Sequence, residues 1–173
     1  MADESPLPQN GPRAAAVLTA IRALLNTSAC PFREMHHLPT RTSEESAAAR
    51  GEPLRIGGKA LLLKAEDEQF RLFILPADTK LDSTAIRREL GLKKTRFATA
   101  EELLELTGLV PGSVPPFGKP ILPFELYVDQ GITANDRIAF NAGSLTDSII
   151  LGTGDYLRVA LPVKVFAFAK PAD

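Results

Sequence analysis

The 173-residue chain has one cysteine, Cys30, two histidines, two methionines and no tryptophan. One thiol cannot close an internal disulfide, so the fold is expected to rest on its core in a reducing compartment. His36 and His37 are neighbours in an extended segment and point to opposite faces. With so few soft ligands, no metal or cofactor is expected. A charge of one sign is also missing: 20 Lys+Arg stand against 21 Asp+Glu, a net charge of −1. The basic excess of a protein that coats nucleic acid is absent, and DNA is not expected as a partner. No apolar run approaches the ~18–20 residues that cross a membrane. The opening MADESPLPQNGP has neither a basic nor an apolar signal region, and carries three prolines. Residues 1–12 are therefore expected to be a disordered leader on a soluble, cytoplasmic protein with no membrane partner.

Hydrophobic residues make up 45% of the chain and charged residues 24%, enough to bury a core in one domain. Val17, Leu18, Ile21, Leu24 and Leu25 repeat at helical spacing within Arg13–Asn26. Residues 32–41 are expected to be extended. Thr42 and Glu45 form a capping-box pattern ahead of a helix rich in alanine and ending at Gly51. Lys59–Lys64 and Phe70–Leu75 predict a hairpin. Helices are expected from about Asp82 to Leu90 and over Ala100–Thr107, the second between Thr99 and Gly108. Strands are predicted at Leu122–Val128, Arg137–Phe140, Ser148–Leu151 and Val163–Phe168, with a short helix capped by Thr153 before the last. Irregular interleaving of this kind predicts a single α+β domain. A mixed, mostly antiparallel sheet with flanking helices, open or curled into a distorted barrel, is expected in place of a doubly wound parallel one.

Several candidate motifs fail on their chemistry. Gly57-Gly58-Lys59 lacks the first glycine of a phosphate loop, where Pro53 stands, and the hydroxyl after the lysine, where Ala60 stands. Lys59, opening an apolar strand, is read from pattern alone as a strand-end lysine reaching water. Cys30 is a nucleophile only if a base such as His36 or His37 stands beside it. Glu101, Glu102 and Glu105 read as a solvated helix face. Gly152-x-Gly154 lacks the third glycine and the context of a dinucleotide site. Two loops stand out. Gly112-Ser113-Val114-Pro115-Pro116-Phe117-Gly118 alternates stiff prolines with permissive glycines and holds backbone groups in one geometry. Asn141-Ala142-Gly143-Ser144 offers small residues after an apolar strand, where a ligand can approach closely.

Together these residues resemble the YbaK/prolyl-tRNA-synthetase-associated domain family of free-standing aminoacyl-tRNA editing proteins. The likeness is carried in order by His37, Thr42-x-Glu44-Glu45, Gly58-Lys59-Ala60-Leu61-Leu62-Leu63-Lys64 and Leu75-Pro76-Ala77-Asp78. It continues through Ala100-Glu101-Glu102-Leu103, Gly108–Gly118 and Phe140-Asn141-Ala142-Gly143-Ser144. It spans roughly residues 13–168 and implies an editing domain over 13–170. It implies hydrolysis, in trans, of the ester joining a small mischarged amino acid to the 3′ CCA end of a tRNA. A synthetase pocket gains only ~1–3 kcal/mol from one methylene, so a second pocket that accepts the smaller misfit and excludes the right amino acid must supply the remainder. The resemblance gives Lys59 the electrostatic task of positioning the tRNA end, and Gly112–Pro116 the task of holding the ester and the water. It makes Lys59, Gly112 and Asn141 the catalytic set. His37, Thr42, Ser113–Gly118 and Ala142–Ser144 join Lys59 in binding substrate. Some branches carry histidine where Asn141 stands, and asparagine cannot titrate. The expected partners are aminoacyl-tRNA and a synthetase or elongation factor that delivers it, with the chain a monomer or homodimer. Near-zero charge predicts modest tRNA affinity and a shallow salt dependence. The competing readings are a non-catalytic module that binds tRNA ends or a synthetase, and a small-molecule esterase using Cys30.

Overall fold

A computed structural model of the chain describes residues 9–172. The chain begins with helix α1 (Ala14–Thr27), whose Val17, Leu18, Ile21 and Leu25 are buried. It continues through strand β1 (Phe32–His36), helix α2 (Ser43–Arg50) and a single 3-10 turn at Leu54–Ile56. Strands β2 (Gly58–Ala65), β3 (Phe70–Pro76) and β4 (Thr79–Leu81) follow, then helix α3 (Ser83–Leu90), strand β5 (Thr95–Phe97) and helix α4 (Ala100–Thr107). After the proline-rich loop come β6 (Glu125–Asp129), a one-turn helix α5 (Gln130–Thr133), β7 (Arg137–Asn141) and β8 (Asp147–Gly152). Helix α6 (Thr153–Ala160) and strands β9 (Lys164–Phe166) and β10 (Ala169–Pro171) close the chain.

The strands form three sheets, ordered β5-β2-β3-β6-β9, β1-β8-β7 and β10-β4. Pairing is antiparallel except where β6 runs parallel to both β3 and β9. Among the described residues the hydrogen-bonded ladder does not close, so the expected barrel is not found. The two larger sheets meet instead at one parallel bridge, Gly57 to Ala139. Glycine permits that approach: a Cβ on Gly58 would stand 2.7 Å from Cδ1 of Ile138.

Strand β3 is buried on both faces, which is why its sequence is a continuous apolar run. Leu72 and Ile74 face the larger core, shared with α1, Phe117, Phe140 and Tyr156. Phe73 and Leu75 alternate to the other face and pack with Ile86, Tyr127, Phe166 and Phe168. The hydroxyl of Tyr156 donates to the Pro116 carbonyl at 2.6 Å, and Phe117 sits edge-on to both Phe140 and Tyr156. The proline-rich loop is thus bolted to the core from behind.

Caps and glycines define the helices where the sequence placed them. Thr42, Asp82 and Thr99 accept N-terminal amides, and Gly51, Gly91 and Gly108 close the far ends in the left-handed conformation. Four expectations change. Helix α6 is capped by Gly152, and the Thr153 hydroxyl is buried without a partner. The final strand breaks into β9 and β10, which join different sheets. The extended segment after Pro31 stays in a ladder only to His36. The strand expected from Leu122 begins at Glu125, because the amide of Phe124 turns back to the Leu122 carbonyl. Of the leader expected over residues 1–12, the first eight lie outside the described residues. The last positions are not free: Asn10 donates to the Ser144 and Thr146 hydroxyls and accepts the Leu145 amide.

Candidate functional site

Helix α2, the start of β2, the end of β7 and the Gly112 loop enclose a cleft of about 240 Å³. Three cations line it, Arg41, Arg50 and Lys59, and no carboxylate does. A nearly neutral protein therefore concentrates positive charge at one concave place, which favours an anionic or oxyanionic ligand.

Lys59 is the second residue of β2, opposite Leu75 in the hairpin. Its Nζ donates to the Thr79 carbonyl at 2.5 Å. The side chain is half-buried, and desolvation pushes its ammonium below the ordinary lysine value against the pull of Glu44 and Asp78. It does not simply reach water, as the pattern alone implied. Thr42, the α2 cap, lies at the cleft, with its hydroxyl accepting the Glu45 amide at 3.1 Å. Glu45 completes no reciprocal box; its carboxylate takes the Arg41 amide instead.

The opposite wall is a polar network. Asn141 ends β7, its Nδ2 donating to the Gly112 carbonyl at 2.8 Å. Its Oδ1 accepts from Arg50 Nη2 at 3.0 Å. Arg50 Nε donates to the Ser148 hydroxyl at 2.9 Å, and His37 Nε2 meets the same hydroxyl at 2.8 Å. His37 Nδ1 stands 2.8 Å from the Leu38 carbonyl, which can only accept, so Nδ1 carries a hydrogen. In the neutral ring Nε2 then accepts from Ser148. Burial pushes the Arg50 guanidinium down to about 10, partly offset by Glu52, which leaves it charged at neutral pH.

Of the residues expected at the site, Thr42, Lys59, Gly112, Val114 and Asn141 line the cleft together. The others stand behind it. Ser113 is fully buried and its hydroxyl donates to the Val110 carbonyl. Pro115, Pro116 and Phe117 are buried, and a Cβ on Gly118 would meet the Phe124 carbonyl at 2.4 Å. Ala142 is fully buried, and Gly143 packs on α1, where a Cβ would come within 2.6 Å of Val17. Ser144 donates to Asp147 at 2.7 Å. His37 reaches the cleft only through Ser148. Each loop therefore contributes one or two contacts and spends the rest on anchorage.

Sequence reasoning missed Arg50. An arginine before a C-capping glycine reads as the ordinary cation of a last helical turn. Yet Ser46 and Ala47, four and three residues earlier, are small, and both are buried. That spacing puts Arg50 on the inward stripe, which was the available signal. Thr40 and Ser46, hydrogen-bonded at 2.7 Å, were also missed.

Cys30 is buried in the main core, with the Ser28 carbonyl and Arg158 as its polar neighbours. It does not line the cleft, so the Cys30 esterase has no site here. Among the described residues no three His, Cys, Asp or Glu side chains are placed to hold a metal, and no helix is long and apolar enough to cross a membrane.

A profile of the aminoacyl-tRNA editing domain matches residues 37–159. The Multifunctional Ser/Thr-tRNA deacylase ProXp-y of Escherichia coli (strain K12) is 39% identical over 145 residues, covering 81% of this chain and 86% of that protein. A proline–tRNA ligase of Shouchella clausii (strain KSM-K16) is 35% identical over 102 residues, 59% of this chain and 18% of the ligase. A solved structure of a candidate trans-editing enzyme for prolyl-tRNA synthetase superposes with a TM-score of 0.73 at 25% identity, covering 90% of this chain and 98% of that one.

Proposed function

The chain belongs to the aminoacyl-tRNA editing domain family, and from that premise we propose that it works in trans, hydrolysing the ester of a small mischarged amino acid on the 3′ end of a tRNA. The observation that carries the reading is the cleft itself: a small, cationic recess whose lining Lys59, Gly112 and Asn141 share. An amino acid ester and its ribose bring carbonyl and hydroxyl oxygens, and the adjoining tRNA end brings phosphate. A compact ammonium at the rim suits the phosphate or ribose. The stiff Gly112 loop and Asn141 hold the ester.

Water attacks the ester carbonyl carbon, the carbon–oxygen bond to the ribose breaks, and the ribose oxygen leaves with a proton. The products are a free amino acid and a tRNA with its hydroxyl restored. Negative charge grows on the carbonyl oxygen in the transition state, and fixed donors and nearby cations stabilise it without reorganising. Neither histidine lines the cleft, so proton transfer is assigned to water and the substrate's own hydroxyl. The candidate amino acids are small, serine, threonine, alanine or cysteine, and the relative named as a Ser/Thr-tRNA deacylase supports the first two.

The test is deacylation of a panel of mischarged and correctly charged tRNAs, with the unaltered protein beside Lys59→Ala. Selective hydrolysis of one or two small esters, lost in a folded Lys59→Ala, is the expected result. A folded protein that binds the charged tRNAs and leaves every ester intact would establish a binding module instead.

A further inference from the structure

Arg50 is the last residue of α2 and one of the few buried charges in the protein, with 7% of its surface exposed. It donates to two neutral groups, Ser148 and Asn141, and to no carboxylate. Glu52, which lies close enough to favour its charge, is hydrogen-bonded to Arg137 and Arg33. A desolvated guanidinium without a bonded counterion costs stability, and an apolar side chain would fill the space at less cost. Stability therefore does not account for it.

Its partner does. A guanidinium can only donate and a backbone carbonyl can only accept. Asn141 stands between one of each, so its amide has one orientation: Oδ1 toward Arg50, Nδ2 toward Gly112. Turned over, it would set donor against donor and acceptor against acceptor. Ser148 has one hydrogen and two acceptors within reach, His37 Nε2 at 2.8 Å and Asn141 Oδ1 at 3.2 Å, whereas Arg50 can only donate to that oxygen. Gly112 has φ +87°, a conformation open to glycine, and its carbonyl accepts the Asn141 Nδ2 hydrogen from across the cleft wall. The chain of contacts runs from helix to arginine to amide to loop carbonyl, and it ends at the cleft.

We propose that Arg50 is the positioning residue of the deacylation site, acting through Asn141 to fix the Gly112 carbonyl and the loop that bears it. The inference rests on the deacylase reading and adds to it a residue that orients without reacting. It also accounts for asparagine in place of aspartate at 141, since aspartate has no hydrogen for the Gly112 carbonyl.

The experiment compares single-turnover hydrolysis of serine-, threonine- and alanine-charged tRNA by the full chain and by Arg50→Lys, Arg50→Ala, Asn141→Ala, Asn141→Asp and the Arg50→Ala/Asn141→Ala double variant, each checked for cooperative melting. Arg50→Ala and Asn141→Ala are expected to lose about 10- to 100-fold in rate with KM within about twofold, as for a misplaced reacting group. The double variant is expected to be no slower than the slower single one, because both remove the same strut. Arg50→Lys is expected to recover part of the loss. The isosteric Asn141→Asp, which keeps its contact with Arg50, should be as slow as Asn141→Ala, and it carries the test if Arg50→Ala fails to fold. Losses that multiply in the double variant, or full activity in Asn141→Asp, would overturn the inference while leaving the deacylase reading intact. No hydrolysis by the unaltered protein would bring down the deacylase reading itself, and the role of Arg50 with it.

Discussion

On one wall of the cleft, Lys59 is held by a single hydrogen bond, from its ammonium to the Thr79 carbonyl. On the other, Asn141 is in contact with Gly112, Arg50 and Ser148 at once. The first wall is half-open to solvent, and its bond is of a kind a ligand oxygen can replace. The side chains of the second, Arg50, Asn141 and Ser148, are buried, and a bond lost among them leaves a polar group unpaired. A group that must meet a mobile, charged tRNA end needs the first kind of mounting. A surface that must hold an ester carbonyl against water in one geometry needs the second.

Substitution at the loosely held wall should show the largest effect on rate and the smallest on stability. Lys59→Ala is expected to lower deacylation about 100-fold or more while the melting temperature moves little, since the side chain is half-exposed and gives up one bond. Kinetics and calorimetry on the same sample check both. pH sharpens the point. Burial holds the folded-state pKa of Lys59 below its unfolded value. Between the two values the unfolded chain binds more protons, so neutralising Lys59 raises stability as pH rises through that alkaline window. Activity should run the other way, falling there as the ammonium is lost. Enzymatic rate, corrected for uncatalysed ester hydrolysis, should therefore decline on the alkaline limb before stability does. Parallel decline would place the loss in unfolding and not in Lys59.

The braced wall should answer in the opposite sense. Gly112→Ala forces a side chain into φ +87° and toward Leu145, 3.4 Å away. It is expected to cost about 1–2 kcal/mol of stability and about tenfold in rate, as the carbonyl held by Asn141 turns away. Chemical denaturation gives the first quantity and single-turnover kinetics the second. A variant as fast as the parent would show that the loop tolerates a shifted carbonyl, and the contrast between the walls would disappear.

The same contrast explains what could be read from sequence. Helix ends were legible because capping is local: Thr99 with Glu102 and Gly108 specify α4 within ten residues. Lys59, Gly112 and Asn141 were legible because each breaks its local pattern, a charge opening an apolar strand or a glycine among prolines. Arg50 breaks no local rule, and its meaning depends on Ser148 and Asn141, more than ninety residues away in sequence. Strands β4 and β5 escaped for a related reason: three residues carry too little periodicity to be seen, and their pairing with β10 and β2 is tertiary. The barrel was expected from adjacency of strands, but closure depends on edge pairing that no local signal records.

The weakest effects are expected where side chains support the braced wall from behind or miss the cleft altogether. His37→Ala removes the acceptor for the Ser148 hydroxyl, but that hydrogen can then turn to Asn141 Oδ1, 3.2 Å away. The strut survives, so the rate should fall by no more than about threefold while stability drops by about 1 kcal/mol, one hydrogen bond. A loss as large as that of Lys59→Ala would make His37 part of the chemistry. Cys30→Ala should be smaller still in rate. The thiol is buried behind α1 and outside the cleft, so truncation is expected to cost about 1 kcal/mol of packing and leave deacylation unchanged, with thiol alkylation of the folded protein equally without effect. Only a nucleophile at Cys30 would make both treatments abolish hydrolysis, and that result would move the reacting centre away from both walls.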